Sequence, residues 1–361
     1  MPPHTHDGID WVTRLADLRR ADEANAPALR AVADRLVESL PAPQPTVYDV
    51  GCGAGGMSAA LAEALLGRAA RTFLTPAESA EPGSARPSGE SGWVEVSRGS
   101  AGSGSVPPSA GSRQAEVSRG SGGPGSVHPF AESVAGAGML VLVDAVPELL
   151  AAASDAARAA VGVAGMLDVR TALIDLAAAT DGPDDVPAAD LIWASNVAHH
   201  VPDQRQVVGM LAGWLAPGGC LALAEGGLSM RCLPWDLGVG EPGLQDRLIA
   251  AHGTWFHRMR TDMPGAVRLP VGWNQVLTDA GLAGVTAFSY LVDVPAPLTD
   301  VGRAAVVSWL AWMTNATGDL LDQADVDTLV RLLDDTDPAF VGRRDDVFLL
   351  KASTVYTGWR S

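Results

Sequence analysis

The chain has 361 residues, enough for one large domain or two ordinary ones around a sizeable buried core. With 47% apolar residues it is not disordered over most of its length, and a formal net charge of −17 speaks against nucleic acid or an anionic membrane as main partner. Three scattered cysteines, Cys52, Cys220 and Cys232, show neither CxxC nor metal-ligand spacing and fit a reducing compartment. No basic-then-apolar leader opens the chain, and no apolar run is long enough to span a bilayer. These features predict a cytoplasmic protein without a metal. The use of 24 Arg against a single Lys, Lys351, suggests a high-GC bacterial genome.

In chain order, residues 9–40 read as two helices separated near Pro27, with Leu29, Val32, Leu36 and Leu40 at helical spacing. Pro41, Pro43 and Pro45 stop the second, and a short strand over 46–50 ends in glycines. A helix follows over 58–66. Order resumes at Met139, with strands over 140–143, 169–174, 190–194 and 220–224 and helices over 147–161 and 203–215. Pro217, Gly218 and Gly219 read as a turn before the last of these strands. Strands alternating with helices predict a parallel sheet covered on both faces. After Glu225 the alternation breaks; helices over 270–280, 300–314 and 322–333 and strands over 285–292 and 346–354 complete the chain.

Residues 68–138 differ from the rest. They are dominated by Gly, Ser, Pro, Ala and Glu, and their six Arg balance six Glu. The hexamer EVSRGS occurs at 95–100 and again at 116–121, the mark of a tandem duplication. Such a composition cannot bury enough apolar surface to offset chain entropy, so the segment reads as a disordered insertion, either a tolerated repeat expansion or a partner-binding tether.

Gly51, Gly53 and Gly56 satisfy GxGxxG directly after a strand, a signal shared by several cofactor classes. Asp49 narrows it. A carboxylate two residues before the first glycine would oppose a pyrophosphate but favours a cofactor that carries an ammonium and no phosphate. A second acid, for the ribose hydroxyls, is expected about 20 residues later at the end of the next strand. Asp144 ends a strand 93 positions after Gly51, or 22 once residues 68–138 are set aside. Its other reading is a helix cap ahead of Pro147.

VYDVGCGAGG, VLVDAV, LIDLA, IWASNVAHHVPD and LAPGG, taken in this order, resemble the class I S-adenosylmethionine-dependent methyltransferases over 46–225 apart from the insertion. The resemblance implies an α/β fold: a Rossmann-like, seven-stranded, mostly parallel sheet whose last strand runs antiparallel, helices on both faces, N-terminal helices and a helical cap. It implies an N-terminal helical segment over 1–45, a cofactor-binding core over 46–225, and an acceptor cap with the remaining strands over 226–361. Asp49, Gly51, Cys52, Gly53 and Gly55 would surround the methionine part of S-adenosylmethionine. Asp144, with Ala145 beside it, would hold the ribose; Asp175 and Leu176 would lie at the adenine; Asn196 would lie beside the sulfonium. The long insertion and the two helices before the last strand depart from the family pattern.

Methyl transfer from a sulfonium is an in-line displacement, so a general base is needed only if the acceptor must lose a proton. His199 and His200 follow the fourth strand, where one could act as that base and either could simply pack beneath the loop. Glu225 ends the fifth strand at the edge where ligands bind in such folds, and could orient an acceptor or be a solvated charge. In WFHRMR, 255–260, His257 and Arg260 stand one helical turn apart and are candidates to hold the acceptor, Arg260 as a carboxylate clamp, against the plainer reading of a packed helix. The predicted activity is methylation of an O, N or C nucleophile on a small molecule, with secondary metabolism as the expected setting. A catalytically silent S-adenosylmethionine-binding protein is the alternative, and an NAD-dependent oxidoreductase is disfavoured by Asp49.

Overall fold

Helix α1 (Trp11–Glu38) runs unbroken through Pro27, where the sequence predicted two helices. An interior proline costs roughly 3 kcal/mol in a helix. Past it, α1 buries Leu29, Val32, Ala33, Leu36 and Val37 in the main core, and each large aliphatic side chain so buried contributes about 1.5–3 kcal/mol. That stripe outweighs the one missing hydrogen bond. The computed structural model describes residues 11–74, 136–162 and 165–361; most of the predicted insertion lies outside the described residues.

Strand β1 (Thr46–Val50) leads into α2 (Gly56–Leu74), and β2 (Gly138–Asp144), α3 (Pro147–Val161) and β3 (Leu167–Leu173) follow. Next come β4 (Ala189–Ser195), a short 3-10 turn (Ala198–His200), α4 (Gln204–Trp214) and β5 (Leu215–Arg231). The chain ends with α5 (Leu244–Asp262), α6 (Trp273–Asp279), β6 (Ala283–Val294), α7 (Asp300–Thr317), α8 (Gln323–Leu333) and β7 (Leu349–Trp359). The seven strands form one sheet in the order β3-β2-β1-β4-β5-β7-β6. Pairing is parallel from β3 through β5, and β7 runs antiparallel to both of its neighbours. The fold is the expected Rossmann-like α/β sheet. One face carries α1, α2 and α3 over Val47, Leu140, Leu142 and Trp193; the other carries α4 and α6 over Tyr48, Ile192, Leu221 and Leu223. A third cluster joins Leu244 and Leu248 of α5 to Val306 and Leu310 of α7 and Leu329 and Leu332 of α8, the helical cap. Among the described residues no helix is long and apolar enough to cross a membrane.

The connections from β1 go outward to β2 and β3 on one side, and β4 and β5 build the other side. The order therefore reverses between β1 and β4, and the crevice outside the carboxyl ends of these two strands is where open sheets of this kind bind ligands.

Several boundaries differ from the sequence reading. The fifth strand does not end at Glu225 but runs on to Arg231, because β7 pairs with it through Arg231. The expected turn at Pro217–Gly219 is a bulge inside β5, which pairs Leu215 with Ala189 and Cys220 with Leu191. Strand β7 runs 349–359 rather than 346–354, because Asp346 is taken up by Arg344 in an ion pair before the strand begins. Finally, α2 extends to Leu74, so the first seven residues assigned to the insertion are helical. Arg68 shows why: its guanidinium donates to the carbonyls of Val37 (2.7 Å), Leu40 (2.9 Å) and Ala42 (2.8 Å). It thereby satisfies acceptors that the end of α1 leaves without helical partners.

Arg68→Met should lower stability by about 2 kcal/mol through loss of these charge-assisted bonds. Chemical denaturation checks this, with an unchanged midpoint as the contrary result.

Candidate cofactor and methyl-transfer site

The turn between β1 and α2 sits at the reversal point. Gly51 takes a left-handed φ of +69° and any Cβ there would collide with Val197. Gly55, at φ +93°, has the Cα of Ala153 of α3 only 2.6 Å from where a Cβ would lie. Glycine at these two positions lets the turn lie between β4's following loop and α3.

Three carboxylates converge on this turn. Asp49, 2% exposed on β1, accepts from the Ser58 hydroxyl at 2.5 Å. Asp144, 9% exposed at the end of β2, accepts from the backbone N–H of Gly53 at 3.1 Å and of Val146 at 3.0 Å. Asp22 of α1, which the sequence reading passed over, accepts from the N–H of Gly56 at 2.9 Å. Burial raises Asp49 to about 7, with the neighbouring charges of Asp144 and Asp22 adding to the rise and Ser58 opposing it. Burial likewise raises Asp22 to about 6, against the Gly56 hydrogen bond and the charge of Lys351. Cys52, 6% exposed within the turn, is held as a neutral thiol by burial and by Asp49 and Asp144.

The N–H groups of the turn are engaged by the chain itself. Gly51 and Cys52 donate to the Val143 carbonyl, Gly55 to that of Cys52, Gly53 to Asp144 and Gly56 to Asp22. A turn so arranged offers a pyrophosphate few donors and three carboxylates in opposition. It favours a cationic ligand, and the residues present therefore fit a sulfonium cofactor with an amino group better than a dinucleotide.

Farther along the crevice, Asp175 follows β3 and accepts from the N–H of Ala177 at 2.9 Å, with Leu176 buried beside it. Ala145 directly follows Asp144, and the N–H of Ile174, the residue after β3, donates to the Asp144 carbonyl. Asn196 follows β4 in an exposed left-handed conformation (φ +54°) that non-glycine residues rarely adopt, with its N–H on the Ala224 carbonyl.

Beside Asn196 the structure brings together His199 and Glu225. Glu225 is 3% exposed; one oxygen accepts from the Ala198 N–H at 2.8 Å and the other lies 2.8 Å from His199 Nδ1. His200 stacks at a tilt on His199, with ring centres 4.2 Å apart, and Phe256 of α5 meets His199 edge-on at 5.6 Å. Arg260, expected as an acceptor clamp, instead donates to the carbonyls of His199 (2.9 Å), Val201 (2.7 Å) and Pro202 (3.3 Å). It braces the 3-10 turn that carries His199. His257 does share α5 with Arg260, but it is exposed. Sequence reasoning missed Asp22, Ser58, Phe256 and Lys351. Only Lys351 carried a visible signal, as the sole lysine of the chain.

Residues 119–223 match the family profile described as a methyltransferase domain. The glycine turn lies ahead of the matched span, on the other side of the insertion. No curated protein matches the chain in sequence. Remote likenesses occur among solved structures. The YcgJ protein from Bacillus subtilis is 15% identical with a TM-score of 0.40, covering 91% of this chain and 98% of that one. Magnesium protoporphyrin IX methyltransferase from Synechocystis, solved with bound S-adenosylhomocysteine, is 12% identical with a TM-score of 0.39, covering 94% and 84%. YjhP from E. coli is 14% identical with a TM-score of 0.37, covering 91% of each chain. The sheet order and the glycine turn are those that the sequence resemblance implies, and the matched span falls within that sheet.

Asp49 titrates well above an unfolded aspartate, for which the ordinary value is 3.8. Between about pH 4 and 7 the unfolded chain ionises there while the folded chain does not, so this group's contribution to stability is lost as pH rises through that window. Asp49→Asn cannot ionise. Its melting temperature relative to the parent should therefore increase from pH 4 to pH 8, and thermal denaturation across that range checks the sign.

Proposed function

We propose that the protein methylates a small-molecule acceptor whose O–H or N–H must be deprotonated, with His199 as general base. The observation that carries this reading is the His199–Glu225 pair where the parallel pairing of β4 with β5 ends, a few residues from Asn196. The bound cofactor supplies an electrophilic methyl group on a sulfonium. Glu225, fixed by the Ala198 N–H, accepts from His199 Nδ1 and leaves Nε2 as the basic nitrogen. Arg260 holds the backbone on which His199 sits, so the base is positioned before the acceptor arrives. His200 is a packing partner of His199 in this scheme.

In the same reading Asp49, Gly51, Cys52, Gly53 and Gly55 border the amino-acid part of the cofactor and Asp144 with Ala145 its ribose. Asp175 and Leu176 border the adenine and Asn196 the sulfonium. Phe256, with the packed rings of His252, Trp255 and Trp312, supplies an aromatic wall from α5 and α7 that suits an acceptor with apolar surface. His257, being exposed, fits a place at the rim.

Calorimetry should detect S-adenosylmethionine binding and none of NAD; the reverse would sink the reading. Asp144→Ala should weaken cofactor binding roughly tenfold or more, through loss of a charged acceptor. His199→Gln should lower kcat by roughly 100-fold or more with cofactor affinity unchanged. Undiminished turnover would remove His199 as base, and binding without turnover on any acceptor would favour the silent protein.

A further inference from the structure

The chain's one lysine, Lys351, lies on β7, paired in register with Val292 of β6. Because β7 runs antiparallel, its first residues lie beside the part of β5 that runs on past its pairing with β4: Ser353 and Ala352 pair with Gly227 and Leu228, beyond Glu225. Lys351 alternates with Val355, whose side chain enters the core beneath α1 and α2, so it points to the same face of the sheet as the glycine turn's helix. Burial lowers its pKa, and the charge that opposes the shift is Asp22. Asp22 is the residue that holds the N–H of Gly56 at the start of α2, packed so closely that a Cβ on Gly56 would strike its carboxylate. Among the described residues no hydrogen bond or ion pair holds the Lys351 ammonium.

A largely buried ammonium without a direct partner is costly unless something else completes it. The surroundings define what that would be. The turn presents Asp22, Asp49 and Asp144, which suit an ammonium or sulfonium, while its own N–H groups at 51, 52, 53, 55 and 56 are spent within the chain. An anionic group entering here finds Lys351 as the cation coupled to this cluster.

We propose that Lys351 binds the α-carboxylate of S-adenosylmethionine, with the Asp22 carboxylate on the facing helix, so that α1 and β7 together border the amino-acid end of the cofactor. The proposal rests on the cofactor reading above and adds a positioning residue that none of the glycine-turn motifs contains.

The test is calorimetric titration with S-adenosylmethionine and with its decarboxylated form, which lacks only the carboxylate. Lys351→Met should weaken the first by roughly tenfold or more and leave the second unchanged. Lys351→Arg should restore most of the loss, since it keeps the positive charge. Equal weakening of both ligands, or of neither, overturns the assignment. Binding by the parent protein keeps the two ideas separable: a parent that fails to bind S-adenosylmethionine refutes the cofactor reading, and a parent that binds beside an indifferent Lys351→Met refutes this one alone.

Discussion

Three carboxylates share the space around one helix start. Asp49, Asp144 and Asp22 come from β1, β2 and α1, and all three contact or flank the turn that opens α2. Like charges in a poorly solvated site repel, and the protein relieves the repulsion in two ways. Two of the acids are pushed up toward neutrality. Each acid is also given a donor, from Ser58 or from an N–H at the positive end of the helix. The relief is partial, and a cation would complete it. Much of the architecture follows: β1 and β2 must lie side by side in register, Val50 beside Val143, and α1 must cross the start of α2.

The second centre is organised by the opposite logic. Glu225 is deeply buried, but both its oxygens are satisfied, one by backbone and one by His199. Arg260 then collects three carbonyls of the turn that carries His199. A loop held by a guanidinium on one side and a carboxylate on the other is fixed in place at both ends. A side chain that looked like an acceptor clamp in sequence spends its donors on backbone, because α5 packs directly over the turn between β4 and α4.

Sequence and structure part company where a property depends on what lies across the fold. Pro27 is a reliable helix breaker in isolation, yet α1 continues because its later turns bury Leu29, Val32 and Leu36. Arg68 reads as the start of a low-complexity tract, and only its hydrogen bonds to the carbonyls of Val37, Leu40 and Ala42 explain why α2 extends past it. Conversely, the distance from the glycines to Asp144 looked wrong until residues 68–138 were set aside. In the fold Asp144 does stand beside Gly53, because parallel pairing makes neighbours of strand ends whatever the length of chain between them.

By itself the sequence determined the alternation of strands and helices, the glycine turn with an acid ahead of it, and the strand-end positions of Asp144 and Asn196. All are local patterns, set by hydrophobic period, turn chemistry and strand termini. Only the tertiary structure decided that Asp22 reaches Gly56, that Glu225 fixes His199, that Arg260 braces a loop, and that the lone lysine on the antiparallel strand lies within reach of Asp22's charge. Those relations join residues 26 to 329 positions apart, and such separations leave no periodic trace in a chain. They arise when packing of the two faces and reversal of β7 carry distant side chains to one edge of the sheet.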